Sequence, residues 1–326
     1  MPRDSERCPL VARPAHQPVP LQEPKGEHRF LDTGVDPALI RPPVFDGAPR
    51  AARLPWRLPT EPSQSGIAAD EARLGDLDVR AVSLIGASHR CEEPATARQD
   101  TYRLGRDAAG RYLVVAVADG LSEGRRSDLG ATVAARCAVD MVRKELDRGA
   151  APDIQWLEVF RLAASTVASA AKQSELSPKE VCTALIVAIV PAEPDNRDGG
   201  RRVWFASLAD VSAWQRSEAG WRMLAGDPKE DVLDRNAVHH FLPCHPDKVT
   251  VVYQDVPQGA TITIVSDGVG DALADVPGAS KWFARRWRTP PPLASFLLDV
   301  AYEARGQLDD RTAVTVWCGG RTERTR

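Results

Sequence analysis

Leu113-Val-Val-Ala-Val-Ala118 runs without interruption into Asp119-Gly120, and Thr261-Ile-Thr-Ile-Val-Ser266 runs into Asp267-Gly268. An unbroken apolar run of this length reads as a strand covered on both faces. A carboxylate at its tip sits where the sheet stops and solvent or ligand begins. Near the end of the chain a third acidic group, Asp309-Asp-Arg-Thr312, leads into the apolar run Ala313 to Cys318. Such tips meeting in one place would form a hard, oxygen-rich site of the kind that suits Mg²⁺ or Mn²⁺. Asp-Gly after a strand is also a common hairpin turn. A hairpin needs a returning strand, and neither Gly120 nor Gly268 is followed by an alternating run.

The chain has 326 residues, 43% apolar and 27% charged, enough for a sizeable packed core. The net charge of −3 argues against a nucleic-acid binder that relies on phosphate neutralisation. Six cysteines are scattered with no C-x-x-C, which predicts free thiols in a reducing, cytoplasmic setting. No run approaches the length of a membrane span, and the first residues carry no signal-peptide pattern.

Thirteen of the 26 prolines fall in the first 62 residues. Residues 1–75 therefore read as a Pro-rich, mostly disordered arm, 76–320 as one folded domain and 321–326 as a disordered tail. Within the arm, Leu54-Pro-Trp-Arg-Leu58 either docks on the body or leaves one aromatic exposed. Strands are predicted at 77–85, 111–118, 182–190, 203–208, 212–215, 220–224, 248–253, 261–265 and 312–317. Helices are predicted at 127–146, 153–172, 270–275, 279–287 and 291–304. The first has Leu129, Val133, Cys137 and Met141 recurring every four residues and Ser127 or Asp128 as its cap. Strands that do not alternate one for one with helices imply an α+β layered fold rather than a doubly wound sheet. No P-loop, dinucleotide or nucleophile-elbow motif is present.

Taken in order, the acidic blocks resemble the metal-dependent protein phosphatases of the PPM (type 2C) class, in its divergent bacterial branch. Gly86-Ala-Ser-His-Arg90 with Arg98-Gln-Asp100 resembles the opening motif. Val117-Ala-Asp-Gly-Leu121 with Arg125-Arg-Ser-Asp-Leu-Gly-Ala131 is similar to the metal-binding turn, and Cys182-Thr-Ala-Leu-Ile-Val-Ala188 to the central strand. Ala209-Asp-Val-Ser212 stands where the family has Gly-Asp-Ser-Arg. Ser266-Asp-Gly268 and Asp309-Asp-Arg-Thr312 resemble the last two motifs.

The resemblance implies two packed antiparallel β-sheets flanked by helices, an α-β-β-α sandwich. It implies Asp119 bridging two Mn²⁺ or Mg²⁺ ions, with the Gly120 carbonyl as a further ligand and Asp267 and Asp309 on the first ion. Asp100 would serve the second ion through water or stand behind it. His89 or Arg90 would face the substrate phosphate. The implied activity is hydrolysis of phosphoserine or phosphothreonine in proteins by a metal-activated water, opposing a Ser/Thr kinase, with no nucleic acid or membrane as partner. Departures are Gln99 in place of a Glu, Ser122 in place of a Gly, Ala95 where an arginine is usual, and the changed 209–212 block. An amide is a poorer cation ligand than a carboxylate, so the second ion is expected to bind weakly. These departures motivate an alternative, a phosphatase-like binding module with little or no activity. A small-molecule phosphate hydrolase on the same fold ranks third. A separate group, His239, His240, Cys244 and His245, offers zinc-type donors without a standard zinc spacing.

Overall fold

Eleven strands, among the described residues, pair into two sheets that are antiparallel throughout. The computed structural model describes residues 41–45, 54–60, 62–149, 153–195, 198–227 and 240–319.

The first sheet has β1 (Ile67–Leu74) and β2 (Leu77–Leu84) as a hairpin at one edge. β3 (Thr101–Arg106), β4 (Tyr112–Gly120), β5 (Thr183–Pro191) and β6 (Arg201–Leu208) belong to the second sheet. β7 (Ser212–Arg216) and β8 (Trp221–Ala225) form a hairpin in the first sheet, whereas β9 (Thr250–Val256) closes the second. β10 (Thr261–Val265) and β11 (Arg311–Cys318) complete the first. The orders are β1-β2-β11-β10-β7-β8 and β3-β4-β5-β6-β9.

The β4 run feeds two cores at once. Leu113, Val115 and Val117 point between the sheets, against Val79, Ala81, Ile264, Val314 and Val316. Val114, Ala116 and Ala118 point outward, under α2 (Ser127–Asp147) and α3 (Trp156–Gln173). A strand buried on both faces has no reason to alternate, which is why its sequence does not. The far side of the first sheet is covered by α4 (Asp267–Asp275), α5 (Ala279–Arg286) and α6 (Leu293–Val300), whose core is aromatic: Phe283, Trp287, Phe296, Tyr302 and Trp317. The α-β-β-α sandwich implied by the sequence is the architecture observed.

Four details differ from the sequence expectation. β1 lies inside the stretch read as the arm; it is an edge strand whose charges, Asp70, Glu71 and Arg73, hide its pattern. β3 was not predicted, being a short edge strand carrying two arginines. The buried stripe of α2 is Ala131, Ala134, Ala135 and Ala138, with Leu129, Val133, Cys137 and Met141 only at its margin. Small residues let α2 approach the sheet closely, so its deepest face is its least hydrophobic-looking one. And α4 begins at Asp267 itself, three residues earlier than predicted.

Parts of the arm dock on the body. Phe45 is buried against Trp282, Phe283 and Tyr302, with ring centroids 5.7, 5.8 and 5.9 Å away. Its backbone N–H donates to the Glu303 carbonyl (2.7 Å). The Leu54–Leu58 segment docks through Arg57, whose N–H donates to the Arg90 carbonyl (2.9 Å), while Trp56 stays 55% exposed. Residues 1–40 and 320–326 lie outside the described residues. Phe45→Ala is expected to lower stability by about 3–5 kcal/mol in urea denaturation, as for loss of a buried aromatic. A change under about 0.5 kcal/mol would show that the segment contributes no docking.

Candidate metal centre

The site is built where strand ends from both sheets meet. Asp119 is the penultimate residue of β4 and pairs with Ala184 of β5. Asp210 sits in the β6–β7 turn, Asp267 opens α4 after β10, and Asp309 precedes β11. Asp100 precedes β3. In sequence they span more than 200 positions; in space they crowd one another. Burial first, then the charges of Asp100, Asp267, Asp210 and Asp309, hold the Asp119 carboxyl well above the ordinary carboxylate range. Asp100 is 1% exposed. Burial and the Asp310 and Asp309 charges push it up to about 7, against the Ser266 and Thr312 hydroxyls, which pull it down. The Asp309 side chain is 45% exposed, and its pKa is raised by burial against the pull of His89.

Glycine at two points lets the backbones close around this cluster. A methyl on Gly268 would stand 2.0 Å from the Asp310 carbonyl oxygen, and one on Gly86 would stand 2.3 Å from the Leu308 carbonyl oxygen. Both contacts clamp the Asp309–Asp310 turn between the start of α4 and the β2–α1 turn. α1 is the single turn Ala87–Arg90. Asp210 is held differently. Ala209 before it sits at φ 71°, a left-handed conformation that costs a non-glycine residue about 1–2 kcal/mol. The sequence reading placed Ala209 where a glycine is usual but did not count Asp210 in the site. The structure puts it in the cluster, and the strained Ala209 is the device that turns it there.

Asp310 has a different task from its neighbour. It is 2% exposed. The N–H groups of Gly86 (2.6 Å), Gln99 and Asp100 (3.2 Å) all donate to its carboxylate, and His89 Nδ1 lies 2.8 Å away. With its lone pairs so committed, Asp310 is an anchor rather than a cation ligand, although His89, Asp309 and Asp310 offer donor atoms within 4.8 Å of one another.

Of the two residues expected to face phosphate, only His89 is at the cluster, its Nε2 3.7 Å from Asp309. Burial alone would lower its pKa. The Asp310 hydrogen bond and the charges of Asp310, Asp309 and Asp100 outweigh that and raise it to about 9, so it is a cation at neutral pH. Arg90 is placed elsewhere. Its guanidinium donates to the Arg57 carbonyl (3.3 Å) and lines a mostly apolar cavity of about 840 Å³ with Trp56, Leu58 and Ile67. Consecutive helical residues diverge by roughly 100°, so one turn of helix cannot aim both side chains at one point. Arg125 makes an exposed ion pair with Glu180 (3.1 Å) and stays at the surface.

The donor set fits a hard divalent cation. Both Asp100 carboxylate oxygens and Gln99 Oε1 are buried without a hydrogen bond of normal geometry. Crowded carboxylates with orphaned oxygens need a cation to be stable in the charged form. The zinc alternative finds no such support. His240 and His245 stack edge-on at 5.5 Å, and no ligand group forms from them and Cys244 among the described residues; His239 lies outside those residues.

A family model described as Protein phosphatase 2C matches residues 85–293. The chain belongs to the protein phosphatase 2C family. The phosphatase 2C domain is similar in fold to solved bacterial structures. The S. agalactiae serine/threonine phosphatase is 14% identical with a TM-score of 0.56, covering 74% of this chain and 99% of that one. The PPM Ser-Thr phosphatase MsPP from Mycobacterium smegmatis, in complex with cacodylate, is 18% identical with a TM-score of 0.52, covering 76% and 100%. PppA of Pseudomonas aeruginosa is 16% identical with a TM-score of 0.52, covering 75% and 99%. A search of curated protein sequences gives no match.

In metal-free protein the raised Asp100 pKa has a definite sign. Folding binds a proton at Asp100 that the unfolded chain releases near pH 4, so its contribution to stability falls as pH rises from about 4 to about 7. Asp100→Asn should therefore gain stability relative to wild type between pH 5 and pH 8 in EDTA, measured by urea denaturation. Saturating Mn²⁺ should reverse the order. A wild type that gains on the variant as pH rises in EDTA would contradict the assignment.

Proposed function

We propose that this phosphatase 2C domain is a Mn²⁺- or Mg²⁺-dependent phosphatase of phosphoserine and phosphothreonine in proteins. One observation carries the reading: five aspartates from five separate chain segments converge, and burial, then the charges of the other four, raise the pKa of Asp119. A fold with no use for a cation would gain stability by replacing any of them.

Asp119, Asp267 and Asp309, with the Gly120 carbonyl, would hold the ions, and Asp100 and Asp210 would complete the surroundings through water. Bound there, two divalent ions lower the pKa of a water to give a nucleophile near neutral pH and neutralise phosphoryl charge. The chain's own part is placement. β4–β5 pairing fixes Asp119, and the Thr183 hydroxyl, which donates to the Asp119 carbonyl (2.8 Å), fixes the turn behind it. Asp310 holds the His89 ring at Nδ1, which leaves Nε2 free to donate to a phosphoryl oxygen beside Asp309. Position 95 is an alanine and the Arg90 guanidinium is turned to the Arg57 carbonyl, so His89 is a cation placed for that contact.

Gln99 donates its backbone N–H to Asp310, and its side-chain amide replaces a carboxylate at the edge of the cluster. We therefore infer that the second ion binds more weakly than the first. A phosphorylated protein, including a Ser/Thr kinase, is the partner class this reading implies. No helix among the described residues is long and apolar enough to cross a membrane.

Hydrolysis of a phosphothreonine peptide, with Mn²⁺ titrated from zero, tests the reading. Turnover should require the metal and vanish in Asp119→Asn. His89→Gln should lower turnover on the order of 10²-fold while Mn²⁺ still raises the melting temperature. Folded protein that binds Mn²⁺ without turnover would instead support a phosphatase-like binding module.

A further inference from the structure

The segment around Leu242 is tied to the start of β5. Thr183 and Leu242 exchange two backbone hydrogen bonds, each 3.0 Å. Cys182 precedes that bridge and Cys244 follows it by two residues, and a further turn bond, from the His245 N–H to the Phe241 carbonyl (2.9 Å), folds Cys244 back. The backbone bridge brings the two side chains close, near enough for Cys244 to act on the Cys182 thiol. Cys182 is 4% exposed, and its Sγ–H donates to the Pro178 carbonyl (3.4 Å); Cys244 is exposed. The other described cysteines differ: Cys91 and Cys318 are buried, and half-buried Cys137 packs on the core with its thiol hydrogen-bonded to the Thr166 hydroxyl. Among the described residues, Cys182 and Cys244 are the pair with one reachable and one shielded sulfur in contact.

This pair borders the metal-binding turn. The Cys182 carbonyl accepts the Leu121 N–H (3.0 Å), and the next residue, Thr183, holds the Asp119 carbonyl. We propose that Cys182 and Cys244 form a reversible disulfide, driven by hydrogen peroxide, that locks residues 240–248 against the Asp119–Leu121 turn.

The chemistry balances in two steps. The Cys244 thiolate attacks one peroxide oxygen, the O–O bond breaks, and the departing hydroxide takes a proton to leave as water; Cys244 becomes a sulfenic acid. Cys182 Sγ then attacks that sulfur, the S–O bond breaks, and the leaving hydroxide takes the Cys182 proton as a second water. Two thiols are oxidised and one peroxide is reduced. Burial, then the neighbouring Cys244, pushes Cys182 up to about 12, so it stays protonated and the exposed sulfur meets the peroxide first; Cys182 gives up its proton only as the second hydroxide leaves. A dithiol reductant reverses the bond by exchange.

The test treats the reduced full chain with a few equivalents of hydrogen peroxide, alkylates remaining thiols and maps peptides without reduction. A Cys182–Cys244 linked peptide, lost on adding dithiothreitol, is expected, with a melting temperature raised on the order of 5 °C. Cys244→Ser, at an exposed position, should fold normally and show neither change. Cys244 driven to sulfinic acid with Cys182 still alkylatable, or cross-links through other cysteines, would overturn the proposal. The effect on catalysis rests on the phosphatase reading: oxidation should lower phosphopeptide turnover at least 5-fold, and Cys244→Ser should resist it. A complete cross-link with unchanged turnover overturns the lock. A cross-link in protein that never turns over substrate leaves the disulfide standing and counts against the phosphatase reading alone.

Discussion

One buried carboxylate, Asp310, joins the pieces from which the site is made. It gathers backbone N–H groups from the β2–α1 turn and from the segment entering β3, and it holds the His89 ring, all at the start of β11. Hydrogen bonds to a charged acceptor contribute about 1.5–3 kcal/mol each, and a buried donor left without one costs comparably. Asp310 therefore fixes where Asp100, His89 and Asp309 stand. The adjacent aspartate has the opposite character: open, weakly tied and available. Two neighbouring residues of one type differ because one is committed to peptide N–H groups and the other is partly open; under the proposed function they would divide scaffold from ligand.

The rest of the centre is electrostatically unfavourable without an ion. Five carboxylates meet at the ends of two sheets, and burial and mutual repulsion shift several of them toward the neutral form. A left-handed Ala209 adds strain at the same place. Strain and crowding concentrated at one end of an otherwise well-packed sandwich are the signature of a site kept for function at some expense of stability. The aromatic core beneath α4 supports this end from behind. The Tyr302 hydroxyl donates to the Gly268 carbonyl beside Asp267, and Phe45 packs on the same tyrosine ring, so the docked arm reaches the start of α4 through one side chain.

Much of this was legible in the sequence. β4 and β10 announced themselves because strands buried on both faces carry unbroken apolar runs, and the aspartates at their ends followed. β1 and β3 were hidden because charge interrupts their patterns, at three of eight positions in β1 and two of six in β3. The α2 stripe was misread because close helix–sheet packing selects alanine over leucine. Asp210 was undervalued because the glycine that usually marks its turn is an alanine here, and no one-dimensional pattern reports a φ angle. His89 and Arg90 were inseparable in sequence; the helical turn separates them in space. The Cys182–Cys244 contact joins residues 62 positions apart, through a bridge with no sequence signal.

The claim on which the account turns is that Asp119, Asp267 and Asp309 hold divalent ions and Asp310 does not. A crystal structure of the protein grown with Mn²⁺, with an anomalous difference map at the manganese edge, tests it directly. The account predicts a strong peak within about 2.5 Å of carboxylate oxygens of all three ligands, and a weaker second peak on the Asp119–Gly120 side near Asp100. Peaks centred on His89 and Asp310, or none in a well-ordered site at millimolar Mn²⁺, would contradict it.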